Sequence, residues 1–153
     1  MSSHIERINY SFKNETDMIG ELLVPLFERI GYHRVYNLHG NRELGKDLVL
    51  IDKTRLGGFE YTAVVVKKGD VNVKKAREIR QQAVEAYGSD FRDPDRIDSK
   101  CPISKVIIVV SGKFGETGKE NLDISISDPY LRKNIEMIDG NKLVNLLEQY
   151  WPE

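Results

Sequence analysis

The chain has 153 residues, 40% of them hydrophobic and 31% charged, with a formal net charge of −1. That balance is globular rather than disordered, the length suits one domain over residues 1–153, and the overall charge selects no partner. A single cysteine, Cys101, excludes an internal disulfide framework and a cysteine-rich zinc site, and His4, His33 and His39 lack the i, i+4 spacing of a helical zinc pair. The N-terminus has no apolar run of the secretory kind, and nothing approaches the ~20 apolar residues that span a bilayer. The expected compartment is the cytoplasm, with no membrane partner.

Residues 14–30 predict a helix. Ile19, Leu22, Leu23, Leu26, Phe27 and Ile30 recur at helical spacing, Asn14 or Thr16 is placed to cap the start, and Gly31 fits just past the end. Pro25 inside it removes a donor and predicts a kink. Three strand-like runs follow: 34–38, 47–51 (DLVLI) and 59–67 (FEYTAVVVK), the last two joined through a Gly57-Gly58 turn. Residues 71–87 return to helical spacing through Val73, Ala76, Ile79, Ala83 and Tyr87. Residues 89–102 are polar, end in proline, and read as a long surface loop in which Asp93-Pro94-Asp95 is a turn. The run 105–110 (KVIIVV) reads as a strand buried on both faces. A short helix over 116–122, a strand over 135–138 and a closing helix over 141–150 complete the order. The pattern predicts an α/β fold, a mixed sheet of about four or five strands between layers of helices.

The chemistry concentrates in GKDLVL, residues 45–50, and EYTAVVVKKGDVN, residues 60–72. Asp47 opens one strand and Lys67 closes its neighbour, so pairing brings a carboxylate and an ammonium to one end of the sheet. Phosphodiester hydrolysis uses such a pair: carboxylates hold a hard cation, and a lysine orients water or stabilises charge growing on phosphorus. These segments resemble the PD-(D/E)XK nuclease superfamily, nearest to its Mrr-type restriction endonuclease branch. The likeness extends through the helix KAREIRQQAVEA, where Gln82 stands at a position that often carries Gln in the family, through KVIIVVSGKF, and through IEMIDGNKLVNLLEQY.

The resemblance implies a three-layer restriction-endonuclease-like sandwich and a DNA-directed, Mg²⁺-dependent nuclease in which Mn²⁺ can substitute. Asp47 would hold the metal, Lys67 would serve the attacking water, and Glu21 or Glu43 would supply a further carboxylate. The departures are concrete. Val65 stands where an acid or Gln is expected, and the position expected for the helix acid falls on Gly20, beside Glu21. Glu78 is a further candidate acid, whereas strand alternation turns Glu60 to the other sheet face. Lys67, Lys68, Lys74, Lys75, Arg77 and Arg80 form a basic stretch against Asp70 and Glu78. Lys68, Lys74, Lys75, Arg77 and Gln82, with Arg42 from the loop that also holds His39 and Lys46, are the candidate DNA contacts. Cutting both strands calls for two sites, hence a homodimer. The rival expectation is an inactive pseudo-nuclease that binds DNA or protein, as in a prokaryotic defence system. A third is an assembly or sensor module that touches no nucleic acid.

Overall fold

The computed structural model describes residues 14–38, 45–96, 100–115 and 129–152. Helix α1 runs as α-helix over Glu15–Met18, widens to a π-helix over Ile19–Leu23, and returns to α-helix over Val24–Ile30. Strands β1 (Arg34–Asn37), β2 (Leu48–Lys53) and β3 (Phe59–Lys67) lead into α2 (Val73–Gly88). Two short strands follow, β4 (Phe91–Arg92) and β5 (Lys100–Cys101), then β6 (Lys105–Val110), α3 (Pro129–Lys133), β7 (Ile135–Ile138) and α4 (Gly140–Tyr150). The expected short helix over 116–122, and His39, Arg42 and Glu43, lie outside the described residues.

Among the described residues a five-stranded sheet has the order β1-β2-β3-β6-β7. The first two pairings are antiparallel and the last two parallel, which makes the sheet mixed as expected. Alternation along the strands sorts the side chains into two cores. Val49, Ile51, Ala63, Val65, Ile108 and Val110 pack with Ala76, Ile79 and Ala83 of α2 on one face. Leu48, Leu50, Val64, Val66, Ile107 and Val109 pack on the other with Met18, Leu22 and Leu26 of α1 and Leu143 and Leu147 of α4. Each fully buried aliphatic side chain contributes about 2 kcal/mol by leaving water. Three layers result, with β3 and β6 at the centre.

At Pro25, where a kink is expected, the helix changes pitch. Proline cannot donate to the carbonyl one turn back, and the helix widens just before it, with the Val24 N–H reaching back to the Ile19 carbonyl. Asn14, rather than Thr16, caps the start by accepting from the Asp17 N–H at 3.0 Å. Gly31, at φ 113°, ends the helix in the left-handed region.

The surface loop expected over 89–102 needs correction. It contains the antiparallel pair β4–β5 and buries Phe91, Asp93 and Cys101. Phe91 packs against Tyr36 and Tyr61 at centroid separations of 5.5 and 6.0 Å, so the segment returns to the sheet as a flap on the α2 side. A polar composition hid that contact because the burial falls on a few isolated positions.

Candidate functional site

Asp47 lies one residue before β2 and continues its ladder, donating its N–H to the Val64 carbonyl at 2.9 Å and accepting from the Leu38 N–H at 2.9 Å. Its carboxylate Oδ2 accepts from the Val66 N–H at 2.8 Å. The β2–β3 pairing ends at Leu48 and Val64, so the side chain takes a main-chain donor beyond the last paired rung. Asp47 therefore also completes this end of the sheet, a structural role alongside any chemical one.

Gly45 and Lys46 set the approach to that carboxylate. Gly45 has φ 78°, and a Cβ there would lie 2.5 Å from the Gln82 carbonyl of α2. Only glycine lets the chain pass so close in that conformation. Lys46, expected in a loop facing DNA, is instead buried, and its ammonium donates to Ser89 Oγ. Ser89 Oγ in turn donates to the Glu85 carbonyl at 2.8 Å. The last turn of α2 carries no basic residue of its own, so Lys46 places a cation where helix carbonyls converge. Its burial follows from that partnership.

Lys67 ends β3, half-buried, with its carbonyl accepting from the Ser111 N–H at 3.2 Å. Asp47 continues the alternation of Val49 and Ile51, and Lys67 that of Ala63 and Val65, which puts both on the α2 face at the same sheet end. This is the carboxyl end of the parallel strands β3, β6 and β7, where α/β sheets commonly hold their ligands. The loops leaving it are cross-braced. The Gly69 N–H donates to Ser111 Oγ at 2.7 Å, the Lys113 N–H to Asp70 Oδ1 at 2.8 Å, and the Lys75 ammonium to the Lys68 carbonyl at 2.9 Å.

The other expected site residues fall in different places. Glu21 is exposed on the π segment of α1, the helix that packs on the face opposite Val49 and Val65. Lys74, Arg77 and Glu78 are exposed on α2, whereas Lys68, Lys75 and Gln82 are half-buried. Lys75 braces the β3–α2 loop, and the Gln82 side-chain oxygen is buried with no hydrogen-bond partner. Glu15, which sequence reasoning passed over, comes to this end: its carboxylate accepts from the Lys68 N–H at 3.4 Å. The two residues are 53 positions apart, and only the direction of α1 across the sheet joins them.

Hard cations favour several oxygen ligands. Val65, at the position expected to carry an acid, is fully buried in the α2-side core. Among the described residues no group of three or more His, Cys, Asp or Glu side chains is placed to hold a metal ion. The described donor set thus does not fit a complete metal shell.

A mixed sheet layered by helices, with an acid and a lysine at the carboxyl end of its central strands, defines an α/β protein of the restriction-endonuclease-like class. The restriction endonuclease family model matches residues 14–147, and the chain belongs to that Mrr-type nuclease family. No curated protein and no solved structure matches it. No described helix is long and apolar enough to cross a membrane.

Proposed function

We propose that this chain is a DNA-directed nuclease-type domain with its centre at Asp47 and Lys67. The observation that carries the reading is their shared position at one end and on one face of the sheet. Lys67 brings positive charge to where a scissile phosphate would gain negative charge, in a half-buried setting that strengthens the interaction. Asp47 is the described carboxylate from which Mg²⁺ or Mn²⁺ would be held. Glu21 and Glu43 remain the further acids proposed from the sequence, and Glu15, which accepts from the Lys68 N–H at the same sheet end, is a further candidate. DNA would lie along Lys68, Lys74 and Arg77, with Lys75 and Gln82 beside them on α2 and Arg42 a further contact proposed from the sequence. A homodimer would supply the second centre for a two-strand cut, and the cytoplasm is the proposed compartment.

The test is nicking of plasmid DNA with Mg²⁺ or Mn²⁺ by the parent protein, Asp47→Ala and Lys67→Ala. Each variant is expected to lose at least about 100-fold in rate. Equal nicking by all three sinks the reading. Val65 supports a second reading, a pseudo-nuclease that binds DNA or protein without cutting. Its signature is DNA retardation that weakens steeply as salt rises, with no metal-stimulated nicking.

A further inference from the structure

At the sheet end opposite Asp47, two adjoining depressions of about 280 and 340 Å³ share Phe59 and Arg96. Volumes of this size suit small-molecule sites. Phe59 opens β3 and Lys67 closes it, so the trough lies roughly 26 Å from Lys67 at the usual rise per strand residue. The first depression has an apolar floor of Ile51 and Phe59, with the His33 ring 5.5 Å from that of Phe59 and the Arg96 guanidinium 5.6 Å from it. The second is bordered by Lys100.

The acids in the trough already have hydrogen-bond partners. Asp95 forms an ion pair with Arg34 at 2.9 Å and accepts from the Tyr36 hydroxyl at 2.8 Å. Asp93 accepts from the Tyr61 hydroxyl at 2.8 Å and from the Asp95 N–H at 2.9 Å. With Asp95 paired to Arg34 and Asp93 held by hydrogen bonds, the Arg96 guanidinium and the Lys100 ammonium border an aromatic floor of Phe59 and His33. A flat ring joined to an anion meets both features, since rings stack on aromatic faces and phosphate seeks guanidinium and ammonium groups.

We propose that this trough binds a nucleotide unit, its base against Phe59 and His33 and its phosphate on Arg96 and Lys100. The site needs neither Asp47 nor Lys67, so it stands or falls apart from the cleavage reading.

The probe is AMP, titrated calorimetrically into the whole chain beside adenosine and inorganic phosphate. AMP is expected to saturate at a Kd of about 1 mM or below, with each fragment at least roughly tenfold weaker. Arg96→Ala, an exposed position, and Phe59→Leu, which keeps an apolar floor, should each weaken AMP about tenfold, whereas Asp47→Ala binds it like the parent. A 5′-phosphorylated tetrathymidylate distinguishes the source. Tighter binding than AMP assigns the trough to a nucleic-acid strand, and equal or weaker binding assigns it to a free nucleotide. Absence of saturation, unchanged AMP binding in both trough variants, or its loss in Asp47→Ala overturns the proposal.

Discussion

At the carboxyl end of β3, the polar side chains answer mainly to the main chain. Asp47 takes the Val66 N–H, Glu15 the Lys68 N–H, Lys75 the Lys68 carbonyl and Ser111 the Gly69 N–H. At the amino end they answer to one another: Tyr36 and Tyr61 donate to Asp93 and Asp95, and Arg34 pairs with Asp95. The first arrangement fixes the backbone and leaves Lys67 half-buried at the mouth of the candidate centre. The second closes on itself and clamps the β4–β5 flap to the sheet. A polar cluster at a sheet end therefore has no single meaning; its partners decide whether it braces a site or seals a core.

The sharpest way to break this contrast is to disturb each brace in turn. Gly45→Ala strikes the centre end, where a Cβ would meet the Gln82 carbonyl at 2.5 Å in a left-handed backbone. The expected loss is about 3 kcal/mol, combining the cost of that backbone region with overpacking. Urea unfolding measures it, and a midpoint equal to the parent's would mean that α2 does not press on Gly45. Asp93→Ala strikes the other end, where it strips the carboxylate acceptor from the buried Tyr61 hydroxyl. A loss of about 2 kcal/mol is expected. Any plasmid nicking, corrected for the folded fraction, should stay at the parent's rate, because the flap lies far from Lys67. A rate that fell with Asp93→Ala would show the two ends to be one unit.

Most of the frame was legible because it repeats. β3 and β6 stand out through unbroken β-branched runs, and α2 and α4 through apolar residues at helical spacing. The rest depended on contacts that no local pattern carries. Asp93 does open the expected turn, its carbonyl accepting from the Arg96 N–H at 3.0 Å, but its buried role was hidden because its tyrosine partners lie 57 and 32 positions away. Strands of two residues, as β4 and β5 are, show no alternation to detect. Lys46 looked like a loop cation because its partner, Ser89, is 43 positions on. Asp47 and Lys67 were legible as a pair because adjoining strands with a short turn leave little freedom in register. The acids that would complete a metal shell were not, since their place depends on how α1 crosses the sheet.

Alkaline unfolding separates the two ends by a smaller effect. Burial, and then the hydrogen bond to Asp95, push the Tyr36 hydroxyl from the ordinary 10.0 up to about 12. Tyr61 is raised too, first by burial and then by its hydrogen bonds to Cys101 and Asp93. Both groups fold as neutral donors. Their contribution to stability is complete below pH 10, the unfolded value, and is lost as pH climbs through the folded value. The urea midpoint should therefore fall between about pH 10 and 12 more steeply in the parent than in Tyr36→Phe/Tyr61→Phe, which has no such protons to lose. The Asp47 end has no tyrosine among the groups just described, so Asp47→Ala should keep the parent's alkaline slope. Parallel slopes in the parent and the double phenylalanine variant would place the alkaline weakness elsewhere and remove the tyrosine–aspartate clamp as the feature that distinguishes this end of the sheet.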